Sequence, residues 1–485
     1  MRNDEDKGWA DEEFDSVNLP DKRLDARLRA ICESMSASPE SPINQACCDW
    51  AETKAAYRFF ANERVDPADI IAAHNRKTVN RMEGLDTVLA IQDTSYLIYT
   101  GHKKTTGLGE ISATKGRHVE RLVSKGLVMH ACLAVTTNGL PLGLLDLNVF
   151  ARKPKVSPRQ CSPKNSTTVG QKEIHRWVSS LENCSERSTG TTRVVTVCDR
   201  EADFYDFLDA GIRSKSPILV RAKVDRAVNK KSRYAEKDVV KLWKFMENQE
   251  VAGIIEIDIP AKDAGKRGSD RQARRASLEV KIGSFMLNAP RNHIRTCSET
   301  LPSLRMQAIH AIENNPPAGV EPVEWMLLTN LPVAGMNDAR EMIRWYSLRW
   351  RIELFFKMLK SGFKILECRL GDAQRLKKYI TVMSVVAWRM MMLTYLARTE
   401  PNLSCDEVLS SEEWKLLYRR THRNENLPQA PPPMKEAIIL IARLGGFLGR
   451  KGDGDPGMIT IWRGWKRLSD LSEGWYLNNS DDTCG

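Results

Sequence analysis

The stretch RVVTVCDREADFYDFL (193–208) runs apolar and β-branched from Val194 to Cys198, meets Asp199, and then sets Ala202, Phe204, Tyr205 and Leu208 at helical steps. A short buried-strand pattern that ends on an acid and passes into helical periodicity marks a strand–helix junction of an α/β fold. DTVLAIQDTSYLIYT (86–100) has the same kind of run from Val88 to Ile91 and reaches Asp93 and Thr94. Taken singly, Asp199 reads as a helix N-cap and Asp93 as a strand-end turn residue.

A third carboxylate changes the weighing. In WYSLRWRIELFFKMLKSG (345–362), Tyr346, Arg349, Glu353 and Lys360 follow one another at steps of 3, 4 and 7. Those steps place all four on one face of a single helix. A carboxylate can hold a divalent cation, and Arg and Lys can hold phosphates, so the face suits phosphodiester chemistry. A salt-bridged helix surface would show the same charges. However, Trp345, Leu348, Trp350, Ile352, Leu354, Phe355 and Phe356 crowd the segment, and buried charges need partners or a metal.

Outward from these three stretches the organisation follows. LVMHACLAVTTNGLPLGLLDLNVF (127–150) predicts a hairpin turned at Asn138-Gly139, residues 170–183 a helix, and residues 216–224 another buried strand. Three early strands, a helix, then strand–helix–strand is an α/β order. Between 225 and 325 lie strand-like runs such as VAGIIEIDIP (251–260) and RASLEVKIGSF (275–285), and a connection that long must have structure of its own. Ahead of Asp93, residues 19–35, 46–61 and 67–81 predict helices, the first with Lys22, Arg23, Arg27 and Arg29 off its apolar face. Pro428 and Pro431–Pro433 mark a break, followed by helical patterns at 434–447 and 458–471 and a polar tail from 480.

Composition is compatible with a polyanionic partner. Lys+Arg exceed Asp+Glu by 73 to 62, for a net charge of +11. Residues 212–234 hold eight basic residues against Asp225 alone, and residues 262–275 hold six against two acids; clustered cations of this kind suit phosphates, or a solvated charged loop. The eleven cysteines include no Cys-x2-Cys pair, and the eight histidines form no ligand-spaced cluster, which argues against a disulfide framework and a zinc site. The N-terminus is polar and acidic, unlike a signal peptide. The apolar stretch 379–388, between Lys378 and Arg389, is too short as read to span a bilayer. A reduced cytoplasm is the expected home.

The chain resembles the DDE transposases of bacterial cut-and-paste elements, the insertion-sequence-four type with the Y-R-E-K signature. The resemblance rests on AIQDTS around Asp93, VCDREADFY from Val197, VEWMLLTNLPV from Val323, and Tyr346-x2-Arg349-x3-Glu353-x6-Lys360, with AAYRFFANERVD (55–66), IARLGGFLGRK (441–451) and IWRGW (461–465) toward the ends. It spans essentially the whole chain. It implies an α/β, ribonuclease-H-like catalytic domain (76–397) with a β-rich insertion at about 225–325. A helical DNA-end-binding domain (1–75) and a helical C-terminal dimerisation domain (398–485) flank it. The implied site is Asp93, Asp199 and Glu353 holding two Mg2+ or Mn2+ ions. Tyr346, Arg349 and Lys360 would grip the phosphate beside a flipped base, with Trp325 stacking on that base and Arg221, Lys223 and Lys357 as further DNA contacts. Lys22, Arg23, Arg27, Tyr57 and Arg58 would contact the end sequence. The implied function is DNA transposition on double-stranded DNA by a homodimer, in the bacterial cytoplasm at the nucleoid. Cleavage would go by a first nick, a hairpin, hairpin opening and joining of the 3′-hydroxyl ends to target DNA. A non-catalytic regulator or inhibitor descended from a transposase, and another nuclease of the same fold, are the competing readings.

Overall fold

The computed structural model describes residues 8–47, 49–114, 122–153, 173–187, 191–229, 239–259, 273–290, 301–423 and 426–479. The segment 260–272, most of the second basic run, lies outside them, as do residues 230–234 of the first run and the tail from 480.

Five helices open the described chain: α1 (Trp9–Glu13), α2 (Lys22–Ala37), α3 (Ile43–Ala46), α4 (Trp50–Ala61) and α5 (Pro67–Met82). Asp21 and Asp49 start α2 and α4 by accepting the N–H groups of Arg23 and Glu52, which satisfies donors that a helix start leaves open. Then come β1 (Thr87–Ile98), β2 (Gly109–Thr114), β3 (Leu122–Thr136), β4 (Pro141–Phe150), α6 (His175–Arg187), β5 (Arg193–Cys198), a one-turn 3-10 helix (Arg200–Ala202), α7 (Tyr205–Arg213), β6 (Ile218–Arg221) and α8 (Leu242–Glu247). β7 (Val251–Ile259), β8 (Arg274–Leu287), β9 (Leu304–Ile312) and β10 (Glu324–Thr329) precede α9 (Met336–Ser347) and α10 (Trp350–Lys357). A π-helical turn (Met358–Gly362) leads on to α11 (Ala373–Thr399), α12 (Ser411–His422), α13 (Met434–Leu444) and α14 (Met458–Asn479).

The chain forms two compact units. The first comprises Met1–Met82, Thr94–Pro154 and Arg351–Gly485, and the second Glu83–Asp93 and Lys155–Trp350. In the second unit β1 lies parallel to β5 from Thr87↔Arg193 to Gln92↔Cys198, and β5 lies parallel to β6. β6 then pairs antiparallel with β10, β10 with β9, β9 with β8 and β8 with β7, so the sheet is mixed. The strands in 225–325 therefore extend this sheet through β10. Trp177 and Leu181 of α6, Phe207 and Leu208 of α7 and Leu242 of α8 pack on Val220, Phe285, Met306 and Leu328 of the sheet, burying apolar area on the scale that drives folding.

In the first unit β3 pairs antiparallel with β2 and with β4. The β3–β4 hairpin turns at Gly139, whose φ is 95° and whose N–H donates to the Thr136 carbonyl at 2.9 Å. Helix α5 packs directly on β4: a Cβ on Gly143 would come within 1.9 Å of Thr78 Oγ1, so this contact needs a glycine. A buried polar cluster fastens the same junction. His74 Nδ1 meets Glu13 Oε1 at 2.5 Å while His74 Nε2 accepts the Leu144 N–H at 2.8 Å. Arg81 forks onto the two oxygens of Glu13 at 2.8 and 3.0 Å and stacks 4.2 Å over Trp388 of α11.

Three expectations change here. β1 does not stop near Asp93; it runs twelve residues to Ile98, so Asp93 is a mid-strand residue, not a strand-end turn. A strand that the sequence did not announce, β2, is paired on β3. The apolar stretch 379–388 belongs to a 27-residue helix, α11, that by length and composition could cross a membrane but is buried along most of its length inside the first unit. Its flanking charges are accommodated: Lys378 donates to the Asn62 carbonyl, and Arg389 stacks 4.8 Å from the Trp9 ring.

Candidate active site

β1 and β5 hold register to Gln92↔Cys198. The next residues are Asp93 and Asp199, so two carboxylates stand side by side on parallel strands that sit about 4.8 Å apart. Asp199 Oδ1 accepts the Glu201 N–H at 2.8 Å and starts the 3-10 turn; it does act as a cap, and that leaves Oδ2 for other work. Burial pushes the Cys198 thiol well above its ordinary pKa, and the neighbouring Asp199 and Asp93 push it further, the signature of a local negative field.

A ring of cations and aromatics surrounds Asp93 within the second unit. Arg349 Nη1 lies 3.4 Å from Asp93 Oδ2, with the two side chains 14% and 15% exposed. The Arg349 guanidinium is also 5.9 Å from the centre of the Tyr346 ring. Tyr346 meets Trp325 edge-on at 5.4 Å. Arg221, at the end of β6, donates to the Glu324 carbonyl at 2.7 Å and to the Tyr346 hydroxyl. Burial raises the Tyr346 phenol, with Arg349 and Arg221 pulling it back; burial likewise lowers the Arg221 pKa. Trp325 is half-buried at the start of β10, beside the buried Met326, Leu327 and Leu328.

The single helix expected across 345–362 is broken. α9 ends at Ser347, Leu348 and Arg349 form a turn, α10 restarts at Trp350, and Met358–Gly362 is a π turn. Tyr346 and Arg349 thus project from a helix end and a turn, while Glu353 sits half-buried on α10 and Lys360 in the wider π turn. Trp350 is 49% exposed, against the mostly buried helix expected. Glu353, exposed Lys357 and Lys360 belong to the first unit.

The other candidates are placed as follows. Lys223 is exposed. Lys22, Arg23 and Arg58 are exposed, Arg27 is half-buried and Tyr57 is 42% exposed. Arg23 folds its guanidinium onto its own helix cap, Asp21, at 2.8 Å. α4 also presents Trp50, 76% exposed, and Lys54 on the face of Tyr57 and Arg58; helical spacing 50, 54, 57, 58 was a signal that sequence reasoning passed over. It also passed over Asp203. That buried carboxylate accepts the N–H groups of Lys223 and Val224 at 2.6 and 3.0 Å and pairs with Arg226, tying the chain after β6 to the turn after β5.

Among the described residues no three His, Cys, Asp or Glu side chains stand together closely enough to hold an ion. The paired Asp93 and Asp199 still offer an oxygen-only donor set, which suits a hard divalent cation and not a thiophilic one. Three family models match the chain: Transposase DNA-binding over residues 6–65, Transposase DDE domain over 173–388, and Transposase Tn5 dimerisation domain over 385–485. A DNA-binding segment, a catalytic DDE segment and a dimerisation segment in that order make this chain a DNA transposase of the DDE class. It is of the Tn5 type: a metal-dependent nuclease and strand-transfer enzyme on a ribonuclease-H-like fold that binds DNA and forms homodimers. These matches do not favour a non-catalytic regulator.

Proposed function

We propose that Asp93, Asp199 and Glu353 are the carboxylates of the DDE site, and that the enzyme performs cut-and-paste transposition as a member of the insertion-sequence-four group. The observation that carries this reading is the register of β1 and β5, which sets Asp93 beside Asp199 with Arg349 against Asp93. Two divalent ions, Mg2+ or Mn2+, held by these carboxylates would activate the attacking water or 3′-hydroxyl and neutralise charge on the leaving oxygen.

The chain's own residues do the rest. Arg349 balances Asp93 before DNA arrives; at 3.4 Å their contact is long, and the guanidinium can turn to a phosphate. Arg221 orients the Tyr346 hydroxyl, and Tyr346, Arg349 and Lys360 hold the phosphate next to the scissile one. Trp325, half-buried at the edge of Tyr346, receives a base turned out of the duplex, which relieves the bend that a hairpin requires. Lys223 and Lys357 contact the backbone. Residues 1–75, through Lys22, Arg23, Arg27, Tyr57 and Arg58, recognise the terminal sequence. Residues 76–397 catalyse, and residues 398–485 pair two copies, on DNA in the bacterial cytoplasm.

Asp199→Ala and Glu353→Ala are expected to abolish strand cleavage of a labelled terminal-repeat duplex while leaving its binding nearly intact. Either variant cutting in Mg2+ at the wild-type rate overturns the assignment.

A further inference from the structure

The first unit carries a second set of cations that the site does not use. Loop 100–107 after β1 and segment 363–373 between the π turn and α11 are distant in sequence but bonded together. The Thr106 N–H donates to the Gly371 carbonyl at 3.0 Å, and the Ala373 N–H donates to the Thr106 carbonyl at 2.9 Å. Thr105 Oγ1 donates to the Leu370 carbonyl at 2.9 Å, and the Tyr99 hydroxyl donates to the Ile365 carbonyl at 3.1 Å. On this rigid seam Lys103, Lys104, Lys364 and Arg369 are all exposed, and none has an acidic partner at ion-pair distance among the described residues. The local acids are few: Asp372 is taken by the Arg375 N–H and guanidinium, both at 2.9 Å, which leaves Glu367. Lys364 is held in the left-handed region at φ 50°, a conformation that a lysine seldom adopts without a local reason. His102, within the seam, has its pKa lowered by burial and by Arg369, so the field there is positive.

The seam continues onto the end-binding helices of the same unit. Phe60 of α4 packs edge-on against Tyr379 of α11 at 5.8 Å, Lys378 donates to the Asn62 carbonyl, and Tyr57 lies near Cys368. In the other direction along the chain, segment 363–373 follows Lys360 and the helix of Glu353. The four cations of the seam thus lie on segments packed beside α4, whose exposed stripe carries Trp50, Lys54, Tyr57 and Arg58. A duplex offers one phosphate charge per about 1.7 Å of axis, a repeating partner for cations fixed on bonded loops, whereas a protein partner would need an apolar centre that the seam lacks.

We propose that Lys103, Lys104, Lys364 and Arg369 form a rail for the phosphate backbone of the terminal duplex, carrying it from the sequence-reading face of α4 toward the segment of Glu353. The proposal rests on the transposase reading. The test measures binding of the full-length protein to a terminal-repeat duplex and to a random duplex of equal length across about 50 to 200 mM KCl. Lys103→Ala with Lys104→Ala, and Lys364→Ala with Arg369→Ala, are each expected to make the slope of log K against log salt shallower by about 1 to 2, with the terminal-to-random preference unchanged. Lys103→Arg with Lys104→Arg is expected to keep the wild-type slope. An unchanged slope in the alanine variants overturns the rail, and so does a loss of slope in the arginine variant, which would trace the effect to loop geometry and not charge. Failure of the wild type to prefer the terminal repeat would instead count against the transposase reading.

Discussion

Glu13, His74 and Arg81 in the first unit and Asp93, Arg349 and Tyr346 in the second are both clusters of a carboxylate, an arginine and a ring, and they differ in how short the carboxylate's contacts are. Glu13 has both oxygens bonded by Arg81 and one also by His74, and both His74 nitrogens are engaged. Because the Leu144 N–H donates to Nε2, His74 is the neutral tautomer with its proton on Nδ1, so Arg81 is the countercharge. Burial would raise the Glu13 pKa, yet its partners hold it at about 2. Asp93 meets Arg349 through a 3.4 Å contact in a partly exposed setting, beside a second carboxylate. Short bonds fix one packing; a long contact leaves its groups able to change partners when a substrate arrives.

Substitutions can break this contrast. The largest effect is expected from Asp93→Asn, which keeps the size and should lower cleavage on the order of 10^3-fold or more with little change in melting temperature, measured by duplex cleavage and calorimetry. Glu13→Gln is expected to do the reverse: it should cost about 1–3 kcal/mol of stability by leaving the half-buried Arg81 without its countercharge, read by urea unfolding. The sign of its pH dependence follows. The folded pKa of Glu13 lies below the ordinary value, so its contribution is present above pH 4.5 and lost as pH falls through about 2. Wild-type stability should therefore drop across that window more steeply than that of Glu13→Gln. Next in size, Trp325→Ala is expected to slow hairpin formation roughly tenfold through loss of ~1–3 kcal/mol of stacking, while the first nick is nearly unaffected; equal slowing in a time course would mean that Trp325 only packs. The smallest effect is expected from Tyr346→Phe, about 2- to 10-fold in strand cleavage for one lost hydrogen bond, and an unchanged rate would show that the hydroxyl does no more than satisfy Arg221.

Much of the fold was legible where its signals are local. The β-branched runs before Asp93 and Asp199, and the Asn138-Gly139 turn, each carry their structure within a few residues. β1 continuing past Asp93 was not legible, since Gln92-Asp93-Thr94-Ser95 is polar and only its pairing keeps it a strand. The break at Leu348–Arg349 has no Gly or Pro to announce it. α11 was read as short because Lys378 and Arg389 interrupt its apolar run, and their partners, Asn62 and Trp9, lie more than three hundred residues away in sequence. For the same reason the helices of 9–82 gave no sign that they join one compact unit with 94–154 and 351–485: the His74–Leu144 bond spans 70 residues. The pairing of Asp93 with Asp199 came from strand order and the resemblance; the part of Arg221 and Asp203 in shaping that corner is visible only in three dimensions.

The π turn at Met358–Gly362 bears on how relatives of this protein should be sought. A π turn accommodates one residue more than the α-helix around it, so the interval from Glu353 to Lys360 is a geometric quantity before it is a spacing in sequence. Removing one residue between them would restore a regular helix and swing Lys360 by about 100°, while a search pattern that tolerates a gap there would score the shortened chain as intact. An alignment column at this turn is therefore a test of the role proposed for Lys360: a homologue with a one-residue gap should keep its carboxylates and lose that proposed phosphate contact.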